Sequence, residues 1–171
     1  LFSCTVPKSQ VQVRILLDDR TFSCDESHSK AWNTTALPRP TLPVAHTDMP
    51  SVKVPLIALA WGRSGDKGNK ANIGIIARKP EYLPYICAAL TEEVVRARFA
   101  HFLENTSRGS VERFLLPGSN AINFLLHNVL GGGGVASIRN DPQGKGYAQL
   151  LLSCPIPVPP TLAAAIAETV S

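Results

Sequence analysis

A proline-rich stretch divides this sequence and limits which part of it can form a packed core. Five of the fourteen prolines lie close together: Pro38, Pro40, Pro43, Pro50 and Pro55. Proline fixes φ and removes a backbone donor, so neither a continuous helix nor a central strand fits such a stretch. No hydrophobic period survives between residues 23 and 54. This segment is therefore predicted to be a linker, with a folded domain over 55–171 and a short strand-containing segment over 1–22.

Composition restricts the class of protein. The 171 residues are 44% hydrophobic and 18% charged, which fits about one globular domain with an appendage and excludes wholesale disorder. No apolar run has the about 18 residues of a membrane span and no secretory signal opens the chain, so we expect a cytoplasmic protein without membrane contact. Aromatic residues make up only 6% and supply few stacking platforms, so nucleic acid is not an expected partner.

The cysteines do not indicate a metal site. Four of them are spread along the chain at irregular spacing: Cys4, Cys24, Cys87 and Cys154. No Cys-x-x-Cys pair and no Cys/His ligand pattern occurs. Reduced thiols are therefore expected, with a Cys4–Cys24 disulfide as the alternative. No metal and no cofactor are predicted.

The hydrophobic pattern predicts strands that alternate with helices. Apolar or alternating runs predict strands over 11–17, 56–61, 72–78, 111–116, 135–139 and 147–152. Helical spacing and cap residues predict helices that begin at Pro80, Thr91, Ser119 and Thr161. Because no helix connects 56–61 with 72–77, these two strands are expected to pair as an antiparallel hairpin. The order favours an α+β fold, with a mostly antiparallel sheet and helices on one face.

The loop predicted between those two strands is the strongest candidate for a binding site. Its three glycines would allow backbone N–H groups to turn inward and form an anion-binding nest: Gly62, Gly65 and Gly68. Residues 61–80 carry five basic side chains against the single Asp66, a potential that suits a carboxylate, a phosphate or a CoA-type anion. Asp66 is predicted to order the loop as an acceptor. A solvated hairpin loop without a ligand is the alternative.

Two further segments are candidates for contact with an anion. A helix that begins at Ser119 would offer unpaired N–H groups at its N-terminus. A polar stripe would then lie along that helix: Asn120, Asn123 and His127. Arg139 and Lys145 flank a predicted tight turn, from which both could reach one end of a sheet. Surface exposure and turn solvation are the alternative explanations.

Several runs, taken in order, resemble a known family. They are WGRSGDKG at 61–68, NIGIIAR at 72–78, LPG at 116–118, NF at 123–124, LGGGG at 130–134, RND at 139–141 and QGK at 143–145. This succession resembles the C-terminal domain of the acyclic terpene utilisation (AtuA) family over about residues 55–158. The family pattern has Asp where this chain has Asn69, which removes one carboxylate that a metal could use.

The resemblance implies a fold and a pathway but no reaction. It implies a ferredoxin-like two-layer sandwich in which two helices cover one face of a mostly antiparallel sheet. It also implies that residues 1–22 end a larger N-terminal AtuA-type domain, which is missing here. The family is associated with the catabolism of citronellol- and geraniol-type compounds through CoA thioesters. Whether the protein is an enzyme stays open.

The residues and the resemblance together predict an auxiliary domain that binds an anionic intermediate, either an acyl-CoA or a carboxylate. The alternative is a non-catalytic module for oligomerisation or assembly. A homo-oligomer is expected because one face of the sheet would lack cover. The residues predicted to bind the ligand are Arg63, Ser64, Asp66, Lys67, Asn72, Asn120, Asn123, Arg139 and Lys145.

Overall fold

The computed structural model describes residues 4, 6–24, 39–45, 51–104, 107 and 110–170. The chain divides into two compact units, Leu1–Arg39 and Pro40–Ser171. Most of the predicted linker lies outside the described residues, and its described part at 39–45 contains no helix or strand. Strands occupy both ends of the range predicted for the linker, since one strand ends at Cys24 and another begins at Val52.

The first unit contains a β-hairpin. After a 3-10 turn at Lys8–Gln10, strand β1 (Val13–Leu17) pairs antiparallel with β2 (Arg20–Cys24). The two-residue turn begins at Asp18, whose φ of +50° is typical of tight hairpin turns. The sequence pattern predicts only the first strand, because it takes the residues after Leu17 as the end of a run rather than as a turn.

The second unit is built on a four-stranded antiparallel sheet. Its strands, in spatial order, are β4 (Ala60–Lys67), β5 (Lys70–Ala77), β7 (Ala121–Leu126) and β6 (Val111–Leu116). The β4–β5 register runs without interruption from Ala60↔Ala77 to Lys67↔Lys70. This register confirms the antiparallel hairpin predicted for this part of the chain.

Helices and a small sheet complete the second unit. The helices are α1 (Leu56–Leu59), α2 (Leu83–Ala89), α3 (Glu92–Arg98), α4 (Tyr147–Leu152) and α5 (Pro160–Val170). Two 3-10 turns lie at Pro80–Tyr82 and Gly134–Ala136. The small sheet pairs β3 (Val52–Pro55) antiparallel with β8 (Pro155–Val158).

One face of the four-stranded sheet carries the hydrophobic core. Its strands contribute fully buried side chains, among them Ile73, Ile75, Ile122, Phe124 and Leu126. The helices contribute Val95, Phe99 and Leu151, which are equally buried, and α3 and α4 contact the sheet. The architecture is therefore α+β, with an antiparallel sheet covered by helices on one face, as the sequence predicts.

The prediction for α3 is confirmed in detail. Thr91 caps the helix, since its hydroxyl oxygen accepts a hydrogen bond from the Val94 backbone N–H at 3.2 Å. Glu92 and Glu93 follow in the first turn, where carboxylates are favoured by the helix dipole. The apolar face is buried as its helical spacing predicts, with Val95 and Phe99 fully inside.

The helix predicted to begin at Ser119 is wrong, because that segment forms β7. Ser119 lies in the turn between β6 and β7, where Gly118 and Asn120 have φ values of +82° and +50°. Ile122, Phe124 and Leu126 are buried, while Asn123 and Leu125 between them are only half-buried. A period of two therefore governs this segment, and no helix N-terminus is available there to bind an anion.

Three predicted strands are also corrected. Leu56–Leu59 forms one helical turn, so β4 begins only at Ala60. No strand occupies 135–139, and the run at 147–152 is α4. The Asp141 carboxylate favours this helix, because its two oxygens accept the backbone N–H groups of Lys145 and Gly146 at 2.9 and 2.8 Å. A short apolar run by its periodicity alone does not distinguish helix from strand.

The β4–β5 turn is fastened to the glycine run by Asn69. The Asn69 side-chain oxygen accepts the N–H groups of Leu130 and Gly132 at 3.2 and 2.8 Å, and its nitrogen donates to Glu104 at 3.3 Å. The contact requires glycine at 133, where φ is +68° and a Cβ would lie 2.0 Å from the carbonyl oxygen of the turn residue Gly68.

We expect Asn69→Ala to lower the free energy of unfolding by about 1–3 kcal/mol, because it leaves two backbone donors without their acceptor. Urea unfolding measures the change. Asn140→Ala is the matched control, since Asn140 is exposed and has no side-chain partner within the described part of the chain. Equal stability of the two variants would contradict the anchoring role.

The four thiols fall into two classes. Cys87 and Cys154 are buried, Cys4 and Cys24 are exposed, and all four are free. Burial raises the pKa of the Cys87 and Cys154 thiols above the ordinary value of 9.0. We expect a water-soluble thiol reagent to modify Cys4 and Cys24 rapidly and the other two only after unfolding. Rapid reaction of all four in the folded protein would contradict the described core.

The raised pKa values also predict a pH dependence. Above pH 9.0 the unfolded chain loses the Cys87 and Cys154 protons before the folded chain does. The free energy of unfolding should therefore be unaffected by these groups below pH 9.0 and should decrease as the pH rises beyond it. Urea unfolding across this range measures the decrease, and replacing Cys87 by Ala should make it smaller.

Candidate functional site

The sheet has a second face, opposite the core, which we call the open face. Successive side chains of a strand point to opposite faces, so each strand contributes alternate residues to it. Given the registers, the open-face residues are Trp61, Arg63, Gly65, Lys67, Lys70, Asn72, Gly74, Ile76, Glu112, Phe114, Leu116, Ala121, Asn123 and Leu125. Four predicted ligand-binding residues from three different strands therefore share this face: Arg63, Lys67, Asn72 and Asn123.

The centre of the open face is a gap between two polar side chains. Gly74 on β5 is paired with Arg63 on one side and with Asn123 on the other. A Cβ at Gly74 would lie 3.8 Å from the Asn123 side-chain oxygen and 3.8 Å from the Arg63 carbonyl oxygen, both ordinary van der Waals distances, so the gap is the width left by the missing side chain of this glycine. Asn72 donates to that Asn123 oxygen at 3.4 Å, which leaves the Asn123 amide nitrogen as a donor directed elsewhere.

Arg63 is the cation beside this gap. Its side chain is exposed, and among the described residues its guanidinium has no hydrogen-bond or ion-pair partner. Asp66 does not brace it, because residues three apart on a strand point to opposite faces. The guanidinium therefore keeps its five N–H donors for solvent or for a bound anion.

Further cations line the same face. Lys67 and Lys70 are paired across the β4–β5 turn. Lys145 reaches the face from outside the sheet, since its Nζ lies 3.3 Å from the position of a Cβ on Gly65. The one carboxylate among the open-face residues is Glu112, and it is engaged with His127 at 2.6 Å. The face is therefore strongly cationic on its β4–β5 side.

An apolar row crosses the other end of the open face. Trp61, Ile76 and Leu116 are 54%, 49% and 42% exposed, although each is a large hydrophobic side chain. The registers place Trp61 opposite Ile76, and connect both to Leu116 through Ala121. Arg78 stacks over the Trp61 ring, with its guanidinium carbon 4.7 Å from the ring centroid. The open face thus combines a cationic end with an apolar end.

The glycine nest predicted from the sequence does not form. Gly62 and Gly65 lie within β4, and of the three glycines only Gly68 has a positive φ, at +67°. The segment predicted to be a long loop is a strand followed by a two-residue turn. The predicted basic side chains do lie together, but on a face of the sheet and not on a loop.

Other predicted residues lie away from the open face or turn from it. Ser64 points to the core side, where its hydroxyl donates to the Lys145 carbonyl at 3.0 Å and accepts the Ala148 N–H at 2.9 Å. Asp66 is also on the core side of β4. Asn120 is in the β6–β7 turn, so the helical stripe with Asn123 and His127 does not exist. His127 instead pairs with Glu112.

Arg139 is not brought together with Arg63 and Asn123. Its guanidinium donates to the Phe102 carbonyl at 3.0 Å and to the Val129 carbonyl, which also accepts from the buried Tyr147 hydroxyl at 3.0 Å. These contacts tie the glycine-rich connection to the helical layer. The prediction that Arg139 binds the ligand together with Arg63 and Asn123 is therefore wrong, because the Arg139 donors are used in packing.

Sequence reasoning missed Lys70, Gly74 and the apolar row as parts of one surface. The signal that identifies them is the alternation along β5, in which Asn72, Gly74 and Ile76 interleave with buried residues. Among the described residues no group of three or more His, Cys, Asp or Glu side chains is placed to hold a metal ion. None of the helices in the described ranges has the length and apolar character needed to cross a membrane.

The fold and the face define a class of protein: an α+β domain with a cationic sheet surface. The family model described as AtuA ferredoxin-like domain matches residues 54–157, more than half of the chain. The chain therefore belongs to the AtuA ferredoxin-like domain family, which confirms the resemblance over residues 55–158. No curated protein and no solved structure matches the chain.

Proposed function

We propose that this domain binds a small anionic ligand, an acyl-CoA or a carboxylate intermediate, on its open face. The observation that carries the proposal is the unpaired Arg63 guanidinium beside the gap above Gly74, with the Asn123 amide on the other side. Guanidinium and amide groups supply the N–H donors that an oxyanion requires. In this role the domain is an auxiliary part of an acyclic terpene utilisation protein. It is proposed to bind the ligand, and no reaction is assigned to it.

The apolar row supports a ligand that carries a hydrocarbon chain. Trp61 is on β4, Ile76 on β5 and Leu116 on β6. The edge strands β4 and β6 are three strand spacings apart, so the row is about 14 Å long. An acyl chain laid across the row would remove exposed apolar surface from water, worth about 25 cal/mol for each Å² that it buries. A compound that is charged at one end and apolar at the other fits both halves of the face.

The size and charge of the open face favour a ligand over self-association. Four strands of six to eight residues cover about 450 Å² in the plane of the sheet, less than the about 800 Å² that each partner buries in a stable interface. A second copy seated face to face would also bring Arg63, Lys67 and Lys70 against a like-charged set. An assembly role is the alternative function, and the expected homo-oligomer would need a larger surface than this face.

The N-terminal hairpin supports the proposal that residues 1–22 end a preceding domain. All ten strand residues are exposed, and four large apolar side chains lie among those of one face: Val13, Ile15, Leu17 and Phe22. A two-stranded hairpin with no cover is at best marginally stable in water. A larger N-terminal domain would supply that cover.

We expect the full 171-residue chain to bind octanoyl-CoA and octanoate, measured by isothermal titration calorimetry. Arg63→Ala should weaken binding by about tenfold or more, because one charge-assisted hydrogen bond is worth about 1.5–3 kcal/mol. The free energy of unfolding should stay within about 0.5 kcal/mol, because Arg63 is exposed and unpaired.

Arg96→Ala is the matched control. Arg96 is on α3, on the opposite side of the sheet, and has no side-chain partner in the described ranges. It should leave ligand affinity unchanged. Binding that is equally strong in wild type and Arg63→Ala would contradict the proposed site, and dimerisation without any ligand binding would favour the assembly alternative.

A further inference from the structure

The β4–β5 turn retains an unfavourable pair of charges. Lys67 and Lys70 are direct partners across the hairpin, and like charges opposite one another on a sheet destabilise it. Lys67 Nζ donates to the Asp66 carbonyl at 2.8 Å, so its contact is to a neutral oxygen. Neither lysine has a carboxylate partner within the described part of the chain. A costly pair without compensation is characteristic of a functional position.

The carboxylates nearest in sequence and space are directed elsewhere. Asp66 points to the core side of β4. Glu104 accepts from the Asn69 side chain at 3.3 Å, and the Asp141 oxygens accept the N–H groups of Lys145 and Gly146. The positive charges of Lys67 and Lys70 at the turn end of the open face are therefore not neutralised by these carboxylates.

A third ammonium group is held at this end by the loop before α4. The Lys145 main chain is fixed at both ends of the residue, because its N–H donates to Asp141 at 2.9 Å and its carbonyl accepts from the Ser64 hydroxyl at 3.0 Å. From there the side chain passes the edge strand β4, and Nζ occupies the space above Gly65. Since Gly65 lies two residues from Lys67 on the open face, Lys145 adds its charge to the same end.

We propose that Lys67, Lys70 and Lys145 form a phosphate-binding subsite at the turn end of the open face. A single carboxylate carries one negative charge, whereas a phosphate group carries about 1.5–2 and has three acceptor oxygens. Lysine binds phosphate as a point charge, which suits three ammonium groups at one end of a sheet face. The inference rests on the proposed function and ranks its ligands: the face binds a phosphorylated CoA thioester more tightly than the free carboxylate.

The subsite also orients the ligand. Six residues of β4 separate Lys67 from Trp61, a distance of about 20 Å along the strand. The phosphates extend from the lysines at the turn end toward Arg63, the connecting arm crosses the gap at Gly74, and the acyl group lies over the apolar row. The cations are clustered at one end instead of following a track, which distinguishes the face from a surface for single-stranded nucleic acid.

The test compares two thioesters on the full chain by isothermal titration calorimetry. Octanoyl-CoA carries the phosphates, and octanoyl-N-acetylcysteamine has the same acyl thioester without them. We expect octanoyl-CoA to bind at least about tenfold more tightly. Lys67→Gln and Lys70→Gln should each weaken octanoyl-CoA by about fivefold and leave the other thioester unchanged. Lys53→Gln, at an exposed lysine on β3, is the control and should change neither.

The other outcomes contradict either the phosphate subsite alone or the proposed function as well. If octanoate binds and is weakened by Arg63→Ala, but octanoyl-CoA binds no more tightly than octanoyl-N-acetylcysteamine, the subsite is wrong and the proposed function stands. If neither thioester nor octanoate binds, the proposed function is wrong and the subsite with it. If a single-stranded RNA oligonucleotide binds as tightly as octanoyl-CoA and with the same dependence on the lysines, the assigned ligand class is wrong. Neither lysine variant should lower the urea midpoint, because each relieves a repulsion.

Discussion

The pairing of β4 with β5 is the interaction on which both the core and the candidate site depend. Its register directs Ile73 and Ile75 into the core and presents Asn72 and Gly74 on the open face. A slip of one residue would exchange the two sets, because the side-chain period of a strand is two. The burial of the isoleucines therefore specifies the register, and the register in turn places Arg63 opposite Gly74.

The Asn69 side-chain amide fixes the turn that closes this strand pair, and a carboxylate at this position would fix it less well. Asn69 accepts two N–H groups of the glycine-rich connection with its oxygen and donates to Glu104 with its nitrogen. An aspartate at this position could accept the same two bonds but would repel Glu104. Asn69 is therefore a structural anchor of the turn.

The sequence allowed prediction of the fold class, the family and the capped helix α3, because local spacing and cap chemistry determine those features. The prediction was wrong at Gly62 and Gly65, which allow close packing of neighbouring side chains and do not form a loop. A Cβ on Gly62 would lie 3.1 Å from Ile75 and 3.2 Å from Leu152, and the space above Gly65 holds the Lys145 ammonium. These neighbours are distant in sequence, so no local pattern reveals them. The same limit explains why four of the predicted site residues share a face while Arg139 serves packing.

The central claim is that the open face, and not the loop region around Arg139, binds the anion. The most direct measurement follows side-chain N–H signals by ¹⁵N nuclear magnetic resonance during titration with octanoyl-CoA. We expect the signals of Arg63 Nε and of the Asn72 and Asn123 amides to shift with ligand, while that of Arg139 Nε does not. A shift confined to Arg139, or no shift at Arg63 at saturating ligand, would contradict this claim.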